Sequence, residues 1–139
     1  MQKVTKMNII SLSGTDKRLY PLVGPLVMNP SVLRQNLNFP FRTSERFSWF
    51  VAVEGETAIA FLPVECKAGE WVINNYYVPK EHIELLIKLL KKALGTLKTD
   101  RPVSVISLLK DEELFRQQGF KEEKRWTRYV KMKKELKDE

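Results

Sequence analysis

The stretch Asn74-Asn75-Tyr76-Tyr77-Val78-Pro79-Lys80-Glu81-His82 gathers the side chains best able to handle a proton or an anion. His82 is the only histidine, and imidazole is the side chain that changes charge near neutral pH. It is a candidate general acid or base, although it falls in the first turn of a helix, an ordinary surface position. Tyr76 and Tyr77 point to opposite faces of an extended segment. One of them then faces a groove, where its hydroxyl could contact a substrate or donate a proton, and the other packs. Lys80 adds a positive charge. Asn74 and Asn75 are poor strand formers and mark a bulge, a polar groove or an exposed edge. Glu65 and Glu70 flank a turn, where either could take a proton from an amine or simply be solvated. One cysteine, Cys66, makes no internal disulfide, and with a single histidine it leaves no metal site.

The hydrophobic pattern says which elements must hold these groups. Met7–Leu12 reads as a strand, and Ser13-Gly14-Thr15-Asp16 as a turn with Thr15 or Asp16 capping a helix. Helical spacing over Lys17–Met28 is interrupted by Pro21, Gly24 and Pro25, so that helix is short or kinked. Asn29-Pro30 opens a second short helix, which carries Val32, Leu33 and Leu37 and ends before Pro40. An aromatic loop, Phe39–Phe47, leads to strand-like runs at Ser48–Val53, Thr57–Val64 and Glu70–Val78, a meander joined by turns. Glu81–Leu97 has the strongest helical signal, with Ile83, Leu86, Ile87, Leu90, Leu94 and Leu97 on one face and Leu85 and Leu89 widening it. Val103–Leu109 is an apolar strand. A strand, a helix of that length and a further strand predict a parallel, right-handed step. Asp111–Gln118 is a short helix stopped by Gly119, followed by strands at Phe120–Lys124 and Trp126–Lys133. The fold class is therefore α+β, a mixed sheet in the order β-α-α-β-β-β-α-β-α-β-β with one parallel βαβ step.

With 139 residues, 43% of them hydrophobic and 29% charged, the chain reads as one folded domain over 1–139, its residues 133–139 a charged tail. No apolar run approaches the ~18 residues of a membrane span, and no apolar segment of a leader follows Met1–Lys6. A cytoplasmic setting is expected. The net charge of +7 permits an anionic partner, but a solvated face and tail account for it more simply. No nucleic-acid-binding motif is visible, so nucleic acid is not the expected partner.

The element order, nearly along the whole chain, resembles that of the GNAT superfamily, the acyl-CoA-dependent N-acetyltransferases. So does the C-terminal run Leu114-Phe115-Arg116-Gln117-Gln118-Gly119-Phe120-Lys121 with Tyr129-Val130-Lys131-Met132. The resemblance implies acetyl-CoA as cofactor and a small-molecule or peptide amine as acceptor. It also implies that the backbone of Tyr76, Tyr77 and Val78 pairs with the pantetheine arm as an added strand, with Lys80 near the phosphates. An open gap is then expected between the strand ending at Val78 and Val103–Leu109. Phe41 and Trp49 would join Asn74 and Asn75 at the acceptor side, or the aromatic loop would form a surface for a homodimer. Trp71 and Trp126 read as strand packing.

Two departures stand out. Superfamily members usually have a glycine-rich loop before the long helix, whose N–H groups hold the pyrophosphate. Here Val78-Pro79-Lys80-Glu81-His82-Ile83 has neither glycine nor arginine, and Glu81 would repel a phosphate. Phe115 stands where the superfamily often has a tyrosine that protonates the leaving thiolate, and phenylalanine has no proton to give. Tyr77 and His82 are the remaining catalytic candidates. Two functions follow: a divergent N-acetyltransferase, or a non-catalytic binding module of the same shape that has lost cofactor binding.

Overall fold

The computed structural model describes residues 7–136. Met1–Lys6, which bear on the expected absence of a leader, and residues 137–139 of the expected tail lie outside the described residues.

The strands are β1 (Met7–Ser13), β2 (Phe47–Glu54), β3 (Thr57–Lys67), β4 (Glu70–Ile73), β5 (Val103–Leu108), β6 (Lys121–Arg125) and β7 (Tyr129–Lys134). The helices are α1 (Leu19–Val27), α2 (Pro30–Gln35), α3 (Glu84–Thr96) and α4 (Glu112–Gln117). The strands form one seven-stranded mixed sheet in the order β1-β2-β3-β4-β5-β7-β6, with β4 and β5 parallel and the other neighbours antiparallel. Element order, fold class and the single parallel step agree with the sequence reading. The last strand runs to Lys134, into the segment expected to be tail.

Two apolar layers sandwich the sheet. Leu86, Leu89 and Leu90 of α3 and Phe115 of α4 pack with Ala52, Ala60, Ile73 and Val105. Ala52 and Ala60 face each other across β2 and β3, and their small size lets α3 approach. On the opposite face Leu19 and Val23 of α1 pack with Trp49, Val51, Val53 and Phe61.

Local corrections follow from hydrogen bonding. Neither Thr15 nor Asp16 caps α1. Its cap residue is Arg18, and Asp16 instead closes the preceding turn by accepting the Arg18 N–H at 2.8 Å. Asn29 caps α2 as expected, taking the Ser31 N–H at 2.8 Å, but Leu37 lies beyond that helix in left-handed backbone, φ 55°. A single 3-10 turn, Lys80–His82, precedes α3. Ile83 therefore sits before the regular helix, 41% exposed, and the buried stripe is Leu85, Leu86, Leu89, Leu90 and Ala93. Gly119, at φ 95°, ends α4 in a conformation that costs a residue with a Cβ. The strand expected over Glu70–Val78 stops at Ile73. Asn75 is left-handed at φ 57°, its N–H turned onto Asn74 Oδ1 at 2.9 Å, so the asparagine pair makes a kink.

Candidate functional site

The kink opens the sheet. β4 and β5 pair only over Trp71–Ile73 and Val103–Val105. Beyond Asn75 the chain turns toward β3, where Tyr77 and Phe61 exchange two backbone hydrogen bonds of 2.9 Å. β5 continues beside β7 as far as Leu108. The two parallel strands therefore part. Tyr77 spends its N–H and C=O on β3, so those of Tyr76 and Val78 face the parting. Gln35 Nε2 donates to the Val78 carbonyl at 2.7 Å. The Tyr76 and Val78 N–H groups donate no hydrogen bond among the described residues. They are donors suited to an amide-bearing arm laid along them.

One side chain crosses the parting. The Tyr76 hydroxyl donates to Asp111 Oδ2 at 2.7 Å and accepts the Leu108 N–H at 3.1 Å. Its ring meets Phe115 edge-on, centroids 5.7 Å apart. Burial, and then the Asp111 charge, push the phenol well above its ordinary titration range, so it stays a neutral donor. Asp111 is 4% exposed and also meets Lys110 Nζ at 3.3 Å. The gap expected between Val78 and β5 is thus present in the backbone but bridged by a phenol. Asp111 escaped the sequence reading, because an acid at the start of a short helix is an ordinary choice.

The other candidates are scattered. Tyr77 is half-buried, its ring 5.9 Å from that of Phe61, and burial followed by the Glu81 charge raises its pKa. His82 is exposed, with Nδ1 3.3 Å from Glu84 Oε1. Lys80 is exposed and forms no ion pair among the described residues, while Glu81 and Glu84 share the start of α3 with it. Phe115 is fully buried between Tyr76 and Phe120.

Beside the parting, on the sheet face away from α3, runs a groove. Cavities of ≈ 520 and ≈ 250 Å³ share Asn74, Ile106 and Trp126. Arg42 and Phe39 line one side and Lys124, Tyr129 and Lys131 the other. A further cavity of ≈ 310 Å³, lined by Gln35, Leu108, Lys110 and Arg128, lies at the end of β5. The residues expected to share an acceptor pocket are divided. Asn74 lines the groove, and Asn75 is held by Asn36 Nδ2 at 3.1 Å. Phe41 and Trp49 line a separate cavity of ≈ 300 Å³ against α1. Trp49 is a core residue whose Nε1 donates to Thr43 Oγ1 at 2.9 Å. Trp126 does not pack within a strand. It stands between β6 and β7, 42% exposed, with Lys124 Nζ 5.3 Å from its ring centroid. Among the described residues no cluster of His, Cys, Asp and Glu could hold a metal ion, and no helix is long and apolar enough to cross a membrane.

No protein-family model matches the sequence, and a search of curated proteins finds no match. Solved structures do match. An acyl-CoA N-acyltransferase from Pseudomonas aeruginosa superposes with a TM-score of 0.77 at 14% identity, covering 93% of this chain and 99% of its own. ElaA from Escherichia coli gives 0.74 at 14% identity, covering 94% and 100%. A GNAT family acetyltransferase from Elizabethkingia anophelis with acetyl-CoA bound gives 0.57 at 13% identity, covering 93% and 97%. The chain has the GNAT fold, as its element order and C-terminal motif led us to expect.

Proposed function

We propose that this chain is a divergent N-acyltransferase that passes an acetyl group from acetyl-CoA to an amine on a small molecule or peptide. The observation that carries the reading is the parting of β4 from β5, with the Tyr76 and Val78 N–H groups unpaired beside it. Those donors suit the amides of a pantetheine arm, and Lys80 is the cation available to its phosphates. Acetyl-CoA, when bound, supplies a thioester carbonyl that an amine can attack. The residues present fit the arm better than they fit the phosphates, since Glu81 and Glu84 oppose an anion at the start of α3. Positioning and the backbone donors then carry most of the catalysis. Tyr77, kept protonated by burial and by Glu81, is the candidate proton donor to the leaving group, and His82 the second. The free, half-buried Cys66 suits a reducing compartment and supports a cytoplasmic setting.

The Tyr76 bridge favours a second reading, a GNAT-shaped binding module without catalysis, because its phenol already occupies part of the parting. Calorimetric titration with acetyl-CoA and with free CoA separates the two. Saturable micromolar binding that weakens in Lys80→Ala supports acyl transfer. No heat and no thermal shift at millimolar cofactor would leave the binding module.

A further inference from the structure

α1 departs from the pattern of a surface helix. The run Leu19–Met28 reads Leu-Tyr-Pro-Leu-Val-Gly-Pro-Leu-Val-Met, without a charged side chain and with the Tyr20 hydroxyl as its only polar side-chain group. A helix that is apolar all round is normally buried all round, yet here only one side is. Leu19 and Val23 are buried, and Leu22, Leu26 and Val27 are half-buried against the same core. The opposite side carries Tyr20, Pro21, Pro25 and Met28, all exposed. Tyr20 and Met28, at 66% each, are the most exposed large apolar side chains among the described residues.

The exposed side is held in a fixed arrangement. The Tyr20 ring lies over Gly24, where a Cβ would sit 3.5 Å from it, and its hydroxyl reaches Met28 Sδ at 3.2 Å. An aromatic ring already held in place loses little freedom on docking, and aromatic residues and methionine are enriched at the centres of protein interfaces. Beside this ridge, Tyr20, Val27 and Phe41 line the cavity of ≈ 300 Å³. Two features choose the occupant. Tyr20 and Met28 stand four residues to either side of Gly24, about one helical turn each way. A two-fold axis at Gly24, perpendicular to α1, sets Tyr20 of each copy on Met28 of the other, the reciprocal contact an isologous dimer requires. Sulfur against an aromatic ring is itself favourable. The second feature is charge. α1 has no acid in its first turn and no base in its last, and Lys17, just before it, forms no ion pair among the described residues. Antiparallel pairing opposes the two helix dipoles and brings Lys17 of each copy to the C-terminal end of the other's helix, where a cation is stabilising. A bilayer would need neither the symmetry nor this charge match.

We propose that α1 is the contact of a two-fold homodimer, in which the Tyr20–Met28 faces of two copies pack antiparallel about Gly24. The aromatic loop expected to form a homodimer surface contributes Phe41 to the recess beside that face. The interface is small, since a helix of nine residues is about 14 Å long. It falls below the roughly 1,200 Å² at which specific interfaces reach standard size, so the dimer dissociates at about 10–100 μM. α1 packs on the sheet face away from α3, and the dimer does not depend on the acyl-transfer reading.

Sedimentation velocity of the full chain without CoA, from about 1 μM to about 1 mM, tests it. The parent passes from monomer to dimer across that range. Tyr20→Glu puts an acid in the first turn of α1, which suits the helix of the monomer. Its thermal midpoint therefore holds while dimerisation weakens at least about tenfold. Met28→Lys tests the register. Mixed one to one with Tyr20→Glu, it sets the new acid of one copy against the new base of the other and leaves a native Tyr20–Met28 contact at the second site. The mixture regains at least about tenfold in association over Tyr20→Glu alone. Rescue by mixing separates a lost contact from a lost fold. A parent monomeric at about 1 mM, a dimer that survives Tyr20→Glu, or a mixture that regains nothing would each overturn the proposal. A monomeric parent that co-sediments with phosphatidylcholine vesicles would overturn it in favour of a bilayer.

Discussion

Tyr76→Phe removes one oxygen from a buried hydrogen-bonded cluster. The lost hydroxyl donates to Asp111 and accepts from the Leu108 N–H, at 2.7 and 3.1 Å. A hydrogen bond to a charged group is worth about 1.5–3 kcal/mol, and a buried donor left without a partner costs about 1–3 kcal/mol. Lys110 still faces Asp111 after the change and softens the loss. Together these give about 3–5 kcal/mol, a large part of the roughly 5–15 kcal/mol by which a domain is stable. Urea unfolding with linear extrapolation measures it. For a chain of this size the thermal midpoint should drop by about 10–15 °C. The phenol also sets an alkaline signature. Its folded pKa is raised above the ordinary value of 10.0. Stability from this group is full below pH 10 and falls as pH rises toward the raised folded value, because the unfolded chain releases its proton first. Tyr76→Phe should flatten part of that fall, and Tyr77 and Tyr129, also raised, keep the rest. A loss below about 1 kcal/mol would refute the bridge as a structural element.

Phe115→Tyr would introduce the tyrosine that the resemblance to the GNAT superfamily led us to expect, but it places a hydroxyl in a fully buried aromatic contact. It should cost about 1–3 kcal/mol in urea unfolding, and thiol release from acetyl-CoA in the presence of an amine should not rise. Gly119→Ala puts a Cβ on backbone at φ 95°, 2.5 Å from Lys134 Nζ. The lysine can swing aside only by giving up its bond to the Gln118 carbonyl at 2.7 Å, so the backbone conformation, about 1–2 kcal/mol, sets the lower bound of the cost, read as a lower denaturation midpoint at unchanged slope.

Much of the fold was legible because its signals are local. The apolar period of α3, the Asn29-Pro30 cap and the Gly119 stop each needed only neighbouring residues. Asn74-Asn75 was visible as an irregularity, but the same two residues serve a bulge, a groove or an edge. Only the Phe61–Tyr77 bridge shows that the chain swings to β3. The role of Tyr76 depends on Asp111 and Leu108, more than thirty positions away in sequence. No local pattern encodes that contact. The groove was harder still. β6 is exposed along its length and reads Lys-Glu-Glu-Lys-Arg, which has no alternation to reveal a face. Trp126 therefore looked like strand packing. Tyr129 drew attention as a motif residue, while the lack of a hydrogen-bond partner for its buried hydroxyl among the described residues is a property of the packed structure alone.

If the acyl-transfer reading holds, the glycine-free junction before α3 and the Tyr76 bridge bear on one question, how deep an acyl-CoA can enter. Displacing the phenol would leave the Leu108 N–H, the Asp111 carboxylate and the hydroxyl itself all seeking partners, at several kcal/mol. Lying along the Tyr76 and Val78 N–H groups breaks no hydrogen bond of those donors, which are unpaired among the described residues, although Gln35 already sits on the Val78 carbonyl. The second course is cheaper, so the arm should rest on the backbone edge and leave the phenol in place. Acetyl-CoA affinity should then be the same in Tyr76→Phe and in the parent, measured by calorimetry well below the variant's melting range. A gain of tenfold or more would mean that the phenol competes for the arm's own space. The parting would then be a filled relic of a cofactor site, and the binding-module reading would take precedence.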